Sequence, residues 1–152
     1  MFARLLRTNN DWVLTIARLV LGVVFVFHGS QKVIPGAFGG PGFTETMAMF
    51  TQGMGIPAPL AFLAIAAEFG GGIALILGLL GRVGALGIVC VMGVAIAKVH
   101  AHVGFSMNWS GKQAGEGYEY HLLAIALALV ILVKGSGAMS IDRCLTPAPK
   151  SP

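Results

Sequence analysis

Charge is scarce in this sequence: acidic and basic residues together make up 11% of the 152-residue chain, against roughly 25% in a soluble globular domain. So few charges cannot cover a water-exposed surface, and 56% hydrophobic residues with a mean hydropathy of +0.83 place the chain in a membrane. Cysteine is nearly absent. Cys90 and Cys144 stand alone, without a C-x-x-C pair, which excludes a dithiol oxidoreductase working with its own thiols, covalent haem attachment and a cysteine-ligated iron–sulfur cluster. No glycine-rich dinucleotide fingerprint is present. The basic residues outnumber the acidic by 10 to 6 but lie singly, so there is no clustered nucleic-acid footprint. Internal repeats, low-complexity tracts and a second domain are also lacking, which leaves one membrane domain over residues 1–152.

What is there is a set of apolar runs. A helix crosses a hydrocarbon core of about 30 Å with roughly 20 residues. Residues 13–30, 60–80, 83–100 and 119–134 meet or approach that length, the last two being short, and predict an all-α, integral membrane four-helix bundle. The first run follows Arg4 and Arg7 as a signal peptide would, but it is long and lacks a small-residue cleavage site, so it is expected to be retained. Arg4, Arg7, Arg82, Lys134, Arg143 and Lys150 fall at the two ends of the chain and between the second and third runs, whereas Lys32 and Lys112 fall in the other connections. By the positive-inside rule both termini are cytoplasmic, with a flexible tail from about residue 143. The first outward connection carries Phe43, Met47, Phe50 and Met54 at helical spacing among Thr44, Glu45, Thr51 and Gln52, which predicts a short amphipathic helix. Met47 and Met49 could offer sulfur to Cu(I), although packing is the plainer use of methionine. Trp109, in the second outward connection, reads as an interfacial anchor.

Glu68 is the anomaly, a carboxylate inside the second run, where an ionised group costs about 2.5–3.5 kcal/mol. It shares a helical stripe with Ala61, Ala64, Gly71 and Gly72, small residues that let a neighbouring helix come close. In the first run Arg18, Leu21, Gly22, Phe25, His28 and Lys32 share a stripe, as do Gly84, Gly87, Val91, Val94, Lys98 and His102 in the third. Glu68 is therefore expected to meet Arg18 or Lys98. Such a pair serves either to fix helix register or to handle protons, and the residues leave both readings open.

All four histidines, His28, His100, His102 and His121, gather at the outer ends of the runs beside Lys32, Lys98, Glu119 and Tyr120. These groups titrate, relay protons and hydrogen-bond carbonyls, which suits a membrane quinone. A metal is the competing reading. His100 and His102 would be its candidate ligands, but two residues apart on a helix they diverge by about 160°. A metal or b-type haem held by single histidines from different helices, such as His28 with His121, stays open.

Arg18-Leu19-Val20-Leu21-Gly22, Phe27-His28-Gly29 with Lys32, Gly39-Gly40-Pro41-Gly42, Gly55-Ile56-Pro57, Ala67-Glu68 with Gly71-Gly72, Leu77-Gly78-Leu79 with Arg82, and Gly117-Tyr118-Glu119-Tyr120 together resemble the DoxX-like family of membrane proteins. The likeness runs in order over about residues 11–142. It implies a bacterial or archaeal four-helix protein of the cytoplasmic (inner) membrane, with relatives that include the small-subunit type of thiosulfate:quinone oxidoreductase and membrane partners of redox-detoxification enzymes. Many members have no assigned activity. By this likeness Arg18, His28, Lys32, Glu68, Glu119 and Tyr120 are motif positions.

The expectation is a redox-associated membrane subunit that interacts with quinone and takes electrons from a partner oxidoreductase. Glu68 and His28 would handle protons, and Arg18, Lys32, Lys98, Glu119, Tyr120 and His121 would line the quinone pocket. The alternatives are a non-catalytic anchor or assembly scaffold for a redox enzyme, and a metal-handling protein using Met47/Met49 or His100/His102. Expected partners are membrane lipids and a redox protein, with a homo-oligomer allowed and nucleic acid not.

Overall fold

The structure, a computed structural model, describes residues 5–146. Its regular elements are all helical, and no strand occurs among the described residues. Helix α1 spans Trp12–Val33, α2 Phe43–Ala48, α3 Ala58–Leu77, α4 Gly81–Ala95, α5 Glu119–Lys134 and α6 Ile141–Leu145. Two of them run on into a wider π-helical turn, α2 through Met49–Gly53 and α4 through Ile96–His100.

Local chemistry sets the ends. Asp11 caps α1, its side chain accepting from the amides of Val13 and Leu14, which satisfies donors that the first turn leaves free. Pro57 opens α3, and Gly78 closes it in the left-handed conformation at φ 63°. The expected second span, residues 60–80, therefore starts earlier and stops at Leu77.

Three stretches, Trp12–Val33, Ala58–Leu77 and Gly81–His100, are long and apolar enough to cross a membrane. The fourth expected span, α5, has 16 residues, a length of about 24 Å at 1.5 Å per residue. It packs beside α4 and α1, so the long helices contact in the cyclic order α1, α3, α4, α5. Leu21, Phe25, Leu75, Ile88, Ala128 and Ile131 fill the centre.

Close approach between α1 and α3 depends on glycine. A Cβ at Gly29 would lie 2.6 Å from Phe69 Cα, and one at Gly72 would lie 2.7 Å from Val26 N. Farther round, Gly71 of α3 meets Gly84 of α4 in the same way. Without a hydrophobic drive between helices in lipid, such backbone-to-backbone packing is a principal source of association. The small-residue stripe of the second run thus faces protein, as its composition predicted: Ala61, Glu68, Gly71 and Gly72 are all buried.

Helix α2 lies in the connection between α1 and α3. Phe50, Met47 and Met54 pack on Ala61 and Ile65 of α3, whereas Thr44, Glu45 and Gln52 are exposed. Met49 points outward and does not join Met47 in that cluster.

The opposite end of the bundle differs most from expectation. Residues 143–145, expected in a flexible tail, belong to α6, whose Asp142 is 1% exposed; Arg4 and residues 147–152, including Lys150, lie outside the described residues. The Asp142 carboxylate accepts from Leu80 N at 2.7 Å, Gly81 N at 3.0 Å and Ser136 Oγ at 2.6 Å. It therefore caps the start of α4 and steadies Leu80, which sits at an unfavourable φ of 52°. Beside it Arg18, 1% exposed, donates to the carbonyls of Ser136 at 2.8 Å, Ile76 at 2.7 Å, Met139 at 2.5 Å and Leu75. Those of Leu75 and Ile76 belong to the last turn of α3, where Leu75 O also accepts from Gly78 N at 3.1 Å. Arg82 does the same for α5, donating to the carbonyls of Leu132 and Val133.

Adding a methyl group at the α1–α3 contact forces the helices apart. Gly29→Ala should lower thermal stability in detergent by about 1–3 kcal/mol, while Gly70→Ala, whose Cβ meets nothing within 4 Å, should melt like the parent protein.

Candidate functional site

The geometry of the helices fixes which polar groups converge. Lys32, in the last turn of α1, reaches across to α3, and its Nζ lies 2.5 Å from Glu68 Oε2. The Glu68 side chain is 5% exposed and that of Lys32 23%. The carboxylate is thus held in the interior while the lysine stem covers part of the distance to the helix end. Glu68 pairs with neither Arg18 nor Lys98, the partners its sequence position suggested. Arg18 is committed to backbone carbonyls near the other end of its helix, and Lys98 is exposed, with no ion-pair partner among the described residues.

Helix α5 brings Tyr120 and His121 to the same end. The Tyr120 ring is 6.2 Å from that of His28 on α1. His28 itself is exposed. His121 is buried, and its ring lies 4.0 Å from the ring of His100. Because a carbonyl only accepts, the 2.8 Å contact of His100 Nδ1 with Glu116 O places a proton on Nδ1 and leaves the other ring nitrogen of a neutral His100 free. Two buried atoms of this cluster, the Tyr120 hydroxyl oxygen and His121 Nδ1, have no hydrogen-bond partner among the described residues. A buried polar group without a partner is costly, which makes both atoms notable.

The π-helical turn explains why His100 belongs here and His102 does not. Ala101 N donates to Ile96 O, five residues back, at 2.8 Å. The added residue rotates the remainder of the helix by part of a turn. The stripe expected through Gly84, Gly87, Val91, Val94, Lys98 and His102 is exposed from Val94 onward, and the π-helical turn shifts its phase further. His100 comes to face His121, and Lys98 and His102 face outward. The His100/His102 pair is thus divided, and no three His, Cys, Asp or Glu side chains converge as a ligand set among the described residues.

Glu119 takes another role. Its Oε1 accepts from Met107 N at 2.9 Å and Trp109 Nε1 at 3.1 Å, so it shapes the connection between α4 and α5 and does not point at the pair. Trp109 remains 87% exposed on that connection. An apolar groove of about 390 Å³ runs between α3 and α4 past Ala67, Gly71 and Gly87. It shares no lining residue with the polar cluster.

Sequence reasoning missed Asp142, Ser136 and Thr15. A readable signal was Ser140 just ahead of Asp142, a helix-start pattern; the Ser140 hydroxyl does cap Arg143 N at 3.3 Å. Thr15 Oγ1 accepts from Ala138 N at 2.9 Å, a contact with no local sign.

Removing one member of a buried ion pair strands the other. Glu68→Gln should destabilise the protein toward the lower end of roughly 3–5 kcal/mol, because Lys32 keeps some access to solvent. A Lys32→Met, Glu68→Met double variant should recover most of that loss in a thermal melt. An additive loss in the double variant would show that the two side chains are not coupled.

The comparisons with known proteins agree with this architecture. The DoxX family model matches residues 13–101, ending at the π-helical turn and before α5. The inner membrane protein YqjF of Escherichia coli (strain K12) is 27% identical over 136 residues, which covers 90% of this chain and 94% of that protein. No solved structure matches. With its matched region spanning α1 to the end of the α4 stretch, and three helices able to cross a membrane, the chain is a membrane protein of the DoxX family.

Proposed function

We propose that the chain is a four-span subunit of the bacterial inner membrane, both termini cytoplasmic, that binds the head group of a quinone near its outer face and works with a partner oxidoreductase. The supporting observation is the pairing of two unpartnered buried atoms, the Tyr120 hydroxyl oxygen and His121 Nδ1, with the buried Lys32–Glu68 pair at one end of the bundle. A phenol O–H fits a carbonyl acceptor, and a histidine ring nitrogen fits either a hydroxyl donor or, when protonated, a second acceptor.

A quinone supplies reversible uptake of two electrons and two protons. The residues of this chain then have separable tasks. Tyr120 donates to one carbonyl and orients the ring. His121 meets the other polar edge, with His100 and the Glu116 carbonyl behind it leading to the outer connection. Glu68 holds or yields a proton, and Lys32 offsets its charge when it is ionised. His28, exposed beside Tyr120, lies where a lipid-dissolved ligand would arrive.

The electrons come from a partner, since the sequence carries no dinucleotide fingerprint and no cysteine cluster. The likeness to YqjF, an inner membrane protein, supports the compartment. For α5, 16 residues is a short span, which modest local thinning of the bilayer accommodates at a fraction of a kcal/mol per Å.

Ubiquinone-1 titrated into the purified protein in mild detergent checks the reading. Binding should saturate at one molecule per chain, and Tyr120→Phe should weaken it about fivefold, the worth of one hydrogen bond. A parent protein that takes up no quinone, or a Tyr120→Phe, His121→Ala variant that binds as well as the parent, would overturn it.

A further inference from the structure

Independently of the quinone reading, we propose that the end of the bundle opposite the histidine cluster holds an anionic phospholipid, its phosphate at Lys134, Arg82 and Arg7 and an acyl chain along α5. Three basic residues lie close together there along the backbone. Arg82 donates to Val133 O at 2.8 Å and to Arg7 O at 3.0 Å, so its guanidinium joins the end of α5 to the segment before α1. Lys134 is the last residue of α5, and both Lys134 and Arg7 are exposed.

No carboxylate neutralises this group. At this end Asp11 caps α1 through Val13 N at 2.8 Å, and Asp142 binds Leu80 N, Gly81 N and Ser136 Oγ. Among the described residues the one ion pair is Lys32–Glu68, at the far end. Arg82 Nε, moreover, is a buried N–H with no acceptor among the described residues. With its Nη atoms taken by backbone carbonyls, Arg82 contributes its charge to the site, and the exposed Arg7 and Lys134 supply the free donors.

The lipid commitment comes from what lies beside the cations. A groove of about 320 Å³ on the outer surface of α5 is lined by Leu129, Val130, Val133 and Lys134. It is apolar throughout, with Lys134 contributing its aliphatic stem. A free anion would use the cations and ignore the groove, whereas a phospholipid uses both, with its head in the basic layer and its chain against leucine and valine.

The test uses the full chain in nanodiscs of palmitoyl-oleoyl phosphatidylglycerol or of the matching phosphatidylcholine, followed by native mass spectrometry of lipids retained after transfer to detergent. Phosphatidylglycerol should be retained over phosphatidylcholine, and Arg7→Gln and Lys134→Gln should each lower that retention about fivefold, from roughly 1 kcal/mol per basic residue. Val130→Trp, which fills the groove and leaves every charge in place, should lower it as well. Arg82 is left intact because it caps α5. Equal retention of the two lipids by the parent protein, or undiminished retention in the Arg7→Gln, Lys134→Gln double variant, overturns the site. If inorganic phosphate alone raises the melting temperature as much as phosphatidylglycerol does, or if Val130→Trp retains the lipid fully, the cations take a free anion and the lipid assignment fails.

Discussion

Arg18 donates from the second turn of the first helix to the carbonyls that end α3 and to those of the segment between α5 and α6. Arg18 is buried, so its N–H groups and the carbonyls they meet satisfy one another within the protein. A guanidinium, with five N–H groups in a fixed fork, can serve several at once. The consequence reaches the other end of the molecule. With Arg18 committed to backbone, the Glu68 carboxylate is met by Lys32, and the charged groups of the bundle separate into a capping network at one end and an ion pair near the other.

The two ends answer different physical demands. At the capping end a dense network joins the helix ends: Asp142 holds α4, Arg82 holds α5, and Thr15 and Thr8 accept from the amides of Ala138 and Gly137, with Arg82 Nε and Arg143 Nη1 left over. That pattern builds a rigid base. At the histidine end the Tyr120 hydroxyl and His121 Nδ1 are buried and unmatched beside an ion pair. Stability alone would favour partners or apolar replacements at such positions.

Much of the fold was legible in the residues. The apolar runs gave three membrane-length helices nearly at their observed bounds, and the small residues around Glu68 correctly indicated a protein-facing surface. The pairing of charges was not legible, because periodicity assigns a residue to a face and not to a height. Lys32 stands at the end of its run, yet its long flexible stem carries the ammonium inward to Glu68. Lys98 and His102 follow a stripe that is already exposed at Val94, and the π-helical turn at Ile96–His100 then inserts a residue that no composition signal marks. The segment after Lys134 reads as polar and glycine-rich, which resembles a free tail until the α3–α4 connection and Arg18 are brought against it.

The sequence by itself determined the solvent, the helical class and the need to shelter Glu68, since scarce charge and long apolar runs admit few other outcomes in a bilayer. It also supplied the family, through motifs carried in order along the chain. Only the tertiary structure decided which cation meets Glu68, that Arg18 is a helix-end donor, and that His100 rather than His102 joins His121. Those choices depend on where helices end, how closely glycines let them approach and where one turn widens. Such distances are set between segments, by contacts that no single segment contains.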